Sequence, residues 1–406
     1  MFPCVFQLQP HRNSGGRLET SIALALLMLA GCLHPESGES GSRIYAYDAP
    51  SSAERYCAWF GDARDGVLYF GTAAFWSAMR SHGNDPMADL LVEGPVAIGR
   101  FDLLRERILE PLEVGAAGNR SGVWDVLAHP NGRIYFTTFY ESAGYAEVPS
   151  GRFVRLPNLG AGLNELALGP DGGVLASRYG SGFEREGNGA VVSFDPDGIL
   201  LAEFPLRPPG GYRVAPKTVA FDPARREIWV TTDLLPIAPG DPQRHDAYVL
   251  SERGEELLRI SEPEIQFVTF AEDGTGYRAE VDGRDLWLQI GAPGEGPEGG
   301  RRILLDGDFA AALDFVQDIE LTADGRAVVS RWSGWVHVVD SPSEVRSTRL
   351  PQLADDGLYY SAAVEGDRIC ATYCSGVSVV CRDIPQLANP SSGSSSAASE
   401  STRITH

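Results

Sequence analysis

Acidic side chains recur at equivalent positions of a repeated segment, and their types suit the binding of a cation or of a small polar molecule. Asp125, Glu165 and Asp318 each stand at the start of one copy of the repeat. Asn164 directly precedes one of them. Because carboxylate and amide oxygens are the preferred ligands of hard cations, these four residues form a candidate metal site. The alternative interpretation is that these polar side chains form salt bridges with one another and hydrogen bonds with water at a solvated channel mouth.

Other polar side chains occupy the same or neighbouring positions in the remaining copies. Lys217 is notable as the single lysine beside 33 arginines, since lysine and arginine total 34. Convergent polar groups around a concave mouth are typical of small-molecule sites. The candidate ligand-binding residues at this mouth are Asp125, Glu165, Lys217, Gln266, Gln317, Arg178 and Arg331. No motif of zinc peptidases, P-loop proteins or serine hydrolases occurs, so the sequence assigns no catalytic residue.

A repeat of about 50 residues positions these side chains. Each copy has an apolar run, a turn rich in Asp, Asn and Gly, a second apolar run, and then further runs that alternate with period two, which indicates strands. The seven copies begin YCAWFGDARDG, WDVLAHPNG, NELALGPDG, KTVAFDPAR, QFVTFAEDG, QDIELTADG and YYSAAVEGD.

Four strands per copy predict an all-β protein, a propeller of seven four-stranded blades, with six blades as the alternative. The last copy lacks a convincing fourth strand, whereas residues 43–48 form an unpaired strand before the first copy. Pairing the two would close the ring through the N-terminal strand and leave no open edge.

The segments LNELALGPDG and KTVAFDP resemble the inner strands of NHL-type propellers and of the gluconolactonase and senescence-marker-protein superfamily. The resemblance extends over residues 56–383 and implies the fold more than the function. Lactonases of that superfamily bind a divalent cation at the pore, which polarises an ester carbonyl. By this resemblance Asn164 and Asp318 are ligands of Ca or Zn. Glu165 stands where the family has glycine, and the family's N-terminal glutamate has no counterpart.

The N-terminal region predicts export and lipid attachment. Residues 1–31 combine arginines with a short apolar run, as in signal peptides. The run ends in Leu29-Ala30-Gly31-Cys32, which resembles the lipobox of bacterial lipoproteins and implies a lipid on Cys32. We expect residues 32–42 to be a polar tether, residues 43–385 the propeller, and residues 386–406 a disordered Ser-rich tail.

Four cysteines remain besides Cys4 and Cys32, and an exported chain favours disulfides between them. Cys370 and Cys381 are equally distant from the Ser375-Gly376 turn, so a hairpin would place them opposite each other. Cys57 and Cys374 could then link the first and last copies, with free buried thiols as the alternative.

Composition and charge limit the partners. The formal net charge of −21 and the absence of a basic run disfavour nucleic acid. The preferred prediction is a non-enzymatic lipoprotein of the bacterial cell envelope, with the outer membrane as expected location, whose propeller binds a small ligand or a protein. The alternatives are a metal-dependent lactone or ester hydrolase and a structural scaffold in an envelope assembly.

Overall fold

The computed structural model describes the chain between Ser42 and Ile384, apart from short internal segments. The described residues are 42–46, 57–73, 96–115, 122–138, 143–179, 189–238, 241–296, 299–309, 314–341, 344–353, 358–374 and 377–384. The predicted signal peptide, the tether up to residue 41 and the Ser-rich tail lie outside them. Within these ranges, no helix has the length and apolar content needed to cross a membrane.

Seven antiparallel sheets of four strands form the blades of a ring, which confirms the predicted fold. Two single-turn 3-10 helices, Pro157–Leu159 and Pro170–Gly172, interrupt the connections. The strands of blades 1 to 3 are β2 (Cys57–Arg64), β3 (Val67–Ala73), β4 (Val96–Asp102), β5 (Arg107–Gly115), β6 (Val126–Ala128), β7 (Arg133–Phe136), β8 (Gly144–Glu147), β9 (Phe153–Arg155), β10 (Leu163–Leu168), β11 (Val174–Arg178), β12 (Ala190–Phe194) and β13 (Leu200–Pro205), after an N-terminal β1 (Ser42–Ala46).

Blades 4 to 7 continue the same order. Their strands are β14 (Tyr212–Asp222), β15 (Glu227–Pro236), β16 (Arg244–Ser251), β17 (Glu256–Ile260), β18 (Glu264–Phe270), β19 (Gly276–Asp282), β20 (Asp285–Gly291), β21 (Arg301–Asp306), β22 (Val316–Leu321), β23 (Ala327–Arg331), β24 (Trp335–Ser341), β25 (Glu344–Arg349), β26 (Leu358–Glu365), β27 (Arg368–Cys374) and β28 (Val377–Asp383). The first strands of successive blades contact each other, and β26 contacts β2, so the ring is closed.

The N-terminal strand completes the last blade, as the repeat predicts. β1 pairs antiparallel with β28, so blade 7 has the order β1-β28-β27-β26. Side chains of β1 also contact the turn of blade 1, because Arg43 Nη1 donates to Glu106 Oε1 at 3.0 Å and the Tyr45 hydroxyl donates to Glu106 Oε2 at 2.6 Å. Closure therefore combines backbone pairing with a polar contact to the neighbouring blade.

The turn between the first and second strand of each blade adopts the conformation that its glycine permits. A positive φ is costly for most residues and free for glycine. The predicted turn glycines Gly66, Gly132, Gly172, Gly274, Gly325 and Gly366 all have φ between 60° and 88°. Blade 4 lacks this glycine and uses Arg226 at φ 56° instead. These turns define the turn face of the propeller, and the opposite face, where the first strands begin, is here named the start face.

The first strands of six blades, all except blade 2, depart from regular pairing near the start face. Shifts in register lie between Ala58 and Gly61, and between Leu163 and Leu166, in blades 1 and 3. Blades 4, 5, 6 and 7 have the same feature at Pro216/Thr218, Ile265/Phe267, Val316/Asp318 and Tyr359/Ala362. A bulge leaves its extra residue unpaired and redirects its side chain. Asn164, Glu165, Lys217, Gln266 and Gln317 all lie in these bulges.

Apolar side chains fill the space between adjacent blades, which is where the hydrophobic effect stabilises the ring. Between blades 6 and 7, for example, Val328 and Val336 pack in one cluster with Tyr359 and Ala371. Backbones approach closely where glycine allows it. A Cβ on Gly71 would lie 2.6 Å from the carbonyl oxygen of Val123, so only glycine lets blade 1 contact blade 2 there.

One predicted disulfide is confirmed. Cys370 and Cys381 are directly opposed on β27 and β28 and are bonded, with their Cα atoms 4.1 Å apart. Cys374 is also disulfide-bonded. The side chain of Cys57 lies outside the described part of the chain, so its pairing with Cys374 stays a prediction.

Candidate functional site

A cavity of about 370 Å³ runs along the axis of the ring, between the first strands of the blades. Residues of all seven blades line it. Part of the cavity wall is apolar and is formed by Phe60, Val219 and Phe267. The rest is polar and is formed by carboxylates and backbone groups. Because the inner edge of each first strand faces this cavity, its free backbone groups need partners there.

The cavity opens on the turn face. At that end its lining includes Leu168, with 39% of its surface exposed, and the exposed Glu272. At the other end the lining residues Val219, Phe267 and Ser361 are buried, whereas Phe60 and Gln317 are half-buried. The turn-face end, beside Leu168 and Glu272, is therefore the more accessible entrance for a ligand.

Aromatic side chains cover the start-face end of the ring at blades 7, 1 and 2. The rings of Trp59 and Trp124 stack with centroids 4.4 Å apart, and Tyr360 contacts Trp59 at 4.8 Å. All three are buried. Phe60, which lines the cavity, contacts Tyr360 at 5.1 Å. This cluster supplies apolar packing where the three first strands converge.

Besides Glu272 at the mouth, five carboxylates from four blades line the interior of the cavity. They are Asp62 on β2, Asp125 just before β6, Glu165 on β10, and Asp318 and Glu320 on β22. Asp125, Glu165 and Asp318 are predicted site residues that the fold brings together, and Gln317 lines the same cavity. Asp62 and Glu320 are additions that the sequence analysis missed.

The three aspartates link neighbouring blades. Asp62 Oδ2 accepts a hydrogen bond from the backbone N–H of Ala128 at 2.8 Å, and Asp125 Oδ2 accepts one from Leu166 at 2.6 Å. Asp318 accepts a hydrogen bond from the Ser361 side chain on blade 7. In each case a carboxylate of one first strand satisfies a polar group of the next blade. These aspartates therefore have a structural role in the ring.

The two glutamates differ from the aspartates. Among the described residues, the side chains of Glu165 and Glu320 have neither a hydrogen bond nor an ion pair. The charge of Lys217 acts on Glu165 from the start-face side. Arg64 lines the turn-face end, where its Nη1 donates to the carbonyl oxygen of Ala128 at 3.3 Å. Two carboxylates of the cavity are thus free to bind something else.

Enclosure in the ring raises the pKa of all five carboxyl groups. Desolvation is the main cause, and it raises the pKa of Asp62 to about 6 and that of Asp125 to about 7. The pKa values of Glu165, Asp318 and Glu320 are raised well above their ordinary range, first by desolvation and then by the charges of neighbouring carboxylates. The cavity therefore holds protons near neutral pH that a bound cation would displace.

Lys217 belongs to a separate cluster on the start face. Its Nζ lies 3.9 Å from Asp233 Oδ1 and 5.1 Å from the centroid of the Phe315 ring. His245 Nδ1 lies 2.8 Å from the same Asp233 oxygen. Burial would raise the pKa of Asp233, but Lys217 and His245 together lower it to about 2. Charges in this cluster are compensated.

The other predicted ligand-binding residues also lie outside the cavity lining. Gln266 is buried, and its Oε1 accepts from the N–H of Val316 at 2.8 Å while its Nε2 donates to Glu264 at 3.1 Å. Arg178 Nη1 pairs with Glu203 at 2.6 Å. Arg331 Nε donates to Asp314 at 2.8 Å and its Nη1 donates to Asp306 at 2.6 Å. These polar groups hold the structure together at the start face.

The metal prediction concerns Asn164, Asp318, Asp125 and Glu165. Asn164 Nδ2 donates to the carbonyl oxygen of Lys217 at 3.0 Å, which links blade 3 to blade 4. Within the part of the chain that the structure describes, no group of three or more His, Cys, Asp and Glu side chains is arranged to hold a metal ion. Binding of Ca or Zn by these residues stays a prediction.

Fold and cavity together define a seven-bladed β-propeller with an acidic central channel. The chain resembles virginiamycin B lyase from Staphylococcus aureus, solved as a catalytically inactive variant with quinupristin, with a TM-score of 0.52, 12% identity, and coverage of 84% of this chain and 99% of that one. It also resembles the Pan2 WD40 domain of Neurospora crassa, with a TM-score of 0.51, 12% identity, and coverage of 85% and 95%.

A further match is the β-propeller domain of Cps50 from Myceliophteria thermophila, with a TM-score of 0.51, 11% identity, and coverage of 83% and 99%. No family model and no curated protein matches the chain significantly. At these identities the likeness shows the fold alone.

Proposed function

We propose that the protein is a binding platform of the cell envelope whose central channel takes a small, positively charged ligand through the turn face. The observation that carries this proposal is the presence of Glu165 and Glu320 in one cavity without hydrogen bonds or ion pairs among the described residues. Both side chains are half-buried inside the ring, and enclosing carboxylates without partners costs free energy that a positively charged ligand would offset.

The cavity wall supports an organic cation as the ligand. Phe60 and Phe267 offer aromatic surface beside the carboxylates, and cations bind favourably to aromatic faces. A volume of about 370 Å³ is within the range of small-molecule pockets. An amine-bearing molecule with an apolar chain fits this combination of charge, surface and size.

The location in the envelope rests on the sequence. The lipobox-like residues at Leu29–Cys32 support a lipid anchor at Cys32, followed by a polar tether. A lipid chain would hold the acidic propeller at a membrane, with the bacterial outer membrane as the expected one. Binding, rather than chemistry, is the proposed activity of the channel.

Calorimetric titration of the purified full-length protein with spermidine tests the proposal. We expect saturable binding at pH 8 that weakens at pH 5, because protonated carboxyl groups no longer attract the cation. The variant Glu165→Gln/Glu320→Gln should lose this binding. The matched control Glu255→Gln/Glu262→Gln removes two exposed charges outside the cavity and should retain it.

Equal binding by both double variants would show that surface charge, and not the channel, attracts spermidine. Elemental mass spectrometry of the same preparation tests the hydrolase alternative. One equivalent of calcium or zinc, lost in an Asp318→Ala/Asn164→Ala variant, would favour the metal-dependent lactonase prediction over the platform. No saturable spermidine binding by the wild type would overturn the proposed ligand class.

A further inference from the structure

The chain enters the propeller at the turn face. In blade 7 the strand β28 runs from the start face to the turn face, because it is the third strand of an alternating antiparallel sheet. β1 is antiparallel to β28, and its first residue, Ser42, pairs with Arg382 near the end of that strand. Everything that precedes Ser42 is therefore attached at the same face on which the channel opens.

Exposed apolar side chains concentrate on that face. Leu104 lies in the turn between β4 and β5 with 66% of its surface exposed, and Ile199 directly precedes β13 with 62% exposed. Leu201 and Leu257, at 61% and 52%, are each the second residue of a fourth strand that starts at the turn face. Leu168, at the channel mouth, adds a fifth. Blades 1, 3 and 4 thus each expose apolar side chains at their turn-face ends, and these side chains together are here named the apolar surface.

The tether is short. Residues 33–41 separate Cys32 from Ser42, and a fully extended chain of this length spans roughly 30 Å at most. Its Gly, Ser and Glu content is typical of a flexible connection. A lipid on Cys32 would therefore keep the turn face close to the bilayer. The start face is on the opposite side of the ring from the attachment point and would be farther from the bilayer.

We propose that the turn face docks on the bilayer surface, with Leu104, Ile199, Leu201 and Leu257 in contact with lipid, so that the channel opens towards the membrane. This inference rests on the lipid anchor of the proposed function. The occupant of the apolar surface is the bilayer to which the anchor belongs, since the chain leaves the propeller at that surface and is too short to carry it far away.

Charge restricts the kind of bilayer. Glu272 and Asp273 are exposed beside the channel mouth. Asp65 and Asp171, with 91% and 81% of their side-chain surface accessible, lie in turns of this face and pair with Arg64 at 3.7 Å and Arg226 at 3.2 Å. Anionic lipid would repel these carboxylates. Docking should therefore be strongest on zwitterionic lipid and should weaken as anionic lipid is added.

Two isoleucines of nearly equal exposure offer a matched test. Ile199 on the turn face and Ile237, which follows β15 on the start face, are 62% and 60% exposed. The variants Ile199→Cys and Ile237→Cys of the full-length lipoprotein would each be labelled with bimane without reductant, with the unsubstituted protein as the labelling background. Both would be reconstituted in phosphatidylcholine vesicles that contain nitroxide-labelled phospholipid.

The label at position 199 should be quenched roughly twofold or more strongly than the label at 237, because interfacial apolar groups penetrate the headgroup region. Replacing part of the phosphatidylcholine by phosphatidylglycerol should reduce that difference. Equal quenching at both positions, or stronger quenching at 237, would overturn the docking geometry. A Leu104→Asp/Leu257→Asp variant that leaves the quenching at 199 unchanged would overturn the role of the apolar surface.

The prediction of a lipid on Cys32 can fail separately from the prediction that the turn face docks on the bilayer, and the two failures are distinguishable. The intact mass of the mature protein shows whether Cys32 carries lipid. If it does not, the Cys32→Ser protein would be attached through an N-terminal His tag to nickel-chelating lipid, and the same pair of labels would test the orientation. Spermidine binding in solution is unaffected by either result, so the channel proposal is judged separately.

Discussion

The channel and the start face bury carboxylates in opposite ways. On the start face Asp233 has Lys217 and His245 within 3.9 Å and 2.8 Å, and its pKa is lowered. In the channel, Glu165 and Glu320 have neither an ion pair nor a hydrogen bond among the described residues, and their pKa values are raised. The first arrangement stabilises the fold at neutral pH, whereas the second opposes it.

This difference separates structural charges from candidate functional ones. Arginine is abundant in the chain, and a single one near Glu320 would compensate its charge as Arg331 compensates Asp314. The channel instead keeps carboxylates that lack such a partner. Groups that lower the stability of the fold and make no stabilising contact are typical of binding sites, where a ligand supplies the missing interaction.

The largest effect should come from removing compensation on the start face. Arg331 is 4% exposed and bonds both Asp306 and Asp314. Arg331→Met leaves the buried Asp314 without a counter-charge, so we expect the free energy of unfolding to fall by about 3–5 kcal/mol in urea denaturation at pH 7. The exposed Arg301→Met should change it by less than about 0.5 kcal/mol. Equal effects would mean that Arg331 is not a compensating charge.

Removing the anion of the other start-face cluster should also destabilise. Asp233→Asn retains the size of the side chain but removes the negative charge nearest to Lys217 and His245, while Glu264 stays 3.9 Å from His245 Nε2. We expect a loss of about 1.5–3 kcal/mol at pH 7, the range of hydrogen bonds to charged groups. The exposed Asp241→Asn is the control for the substitution itself. An unchanged urea midpoint for Asp233→Asn would contradict the assignment.

Neutralising the channel glutamates should have the reverse sign. Because the pKa values of Glu165 and Glu320 are raised in the folded protein, their contribution to stability is present below the ordinary glutamate pKa and is lost as pH rises through the folded values. Glu165→Gln/Glu320→Gln should therefore raise the unfolding free energy at pH 8 by about 1–3 kcal/mol. The gain should shrink towards pH 5.

The control for this pair is again Glu255→Gln/Glu262→Gln, whose carboxylates are exposed. It should follow the wild-type pH profile of urea midpoints between pH 5 and pH 8. A channel variant that is less stable than the wild type at pH 8 would show that an unseen partner compensates these glutamates.

The fold was predictable because turn and packing chemistry recur in the sequence. Each turn glycine, from Gly66 to Gly366, marks one blade, and the orphan strand at Arg43 marks the closure. The pairing of Cys370 with Cys381 followed from their equal distance to one turn. These features depend on short segments of the chain, so they can be predicted from the sequence without the distances between blades.

The site was predicted only in part, because the bulges decide where side chains point. Asp125, Glu165 and Asp318 reach the channel, whereas Gln266 and Lys217, at equivalent positions, bond the neighbouring blade or the start face. Asp62 and Glu320 lie further along their strands, in WFGDAR and DIELT. An acidic residue within an otherwise mostly apolar inner strand was the signal that could have identified them.

The smallest predicted effect gives the closest comparison of the channel with the start face, because the same substitution, Asp→Asn, is made at Asp62 in one and at Asp233 in the other. Asp62→Asn keeps an oxygen that can accept the hydrogen bond from Ala128, so the contact between blades 1 and 2 survives. The substitution removes only a charge whose pKa burial raises to about 6. We expect a gain of up to about 1 kcal/mol in unfolding free energy at pH 8 and little change at pH 5, where the wild-type carboxyl is already largely protonated.

Asp233→Asn, measured in the same urea titrations, should lose stability at both pH values, because the pKa of Asp233 is far below either. If Asp62→Asn also lost stability at pH 8, the charge of this channel aspartate would be compensated like that of Asp233, and the contrast between the two regions would rest on Glu165 and Glu320 alone.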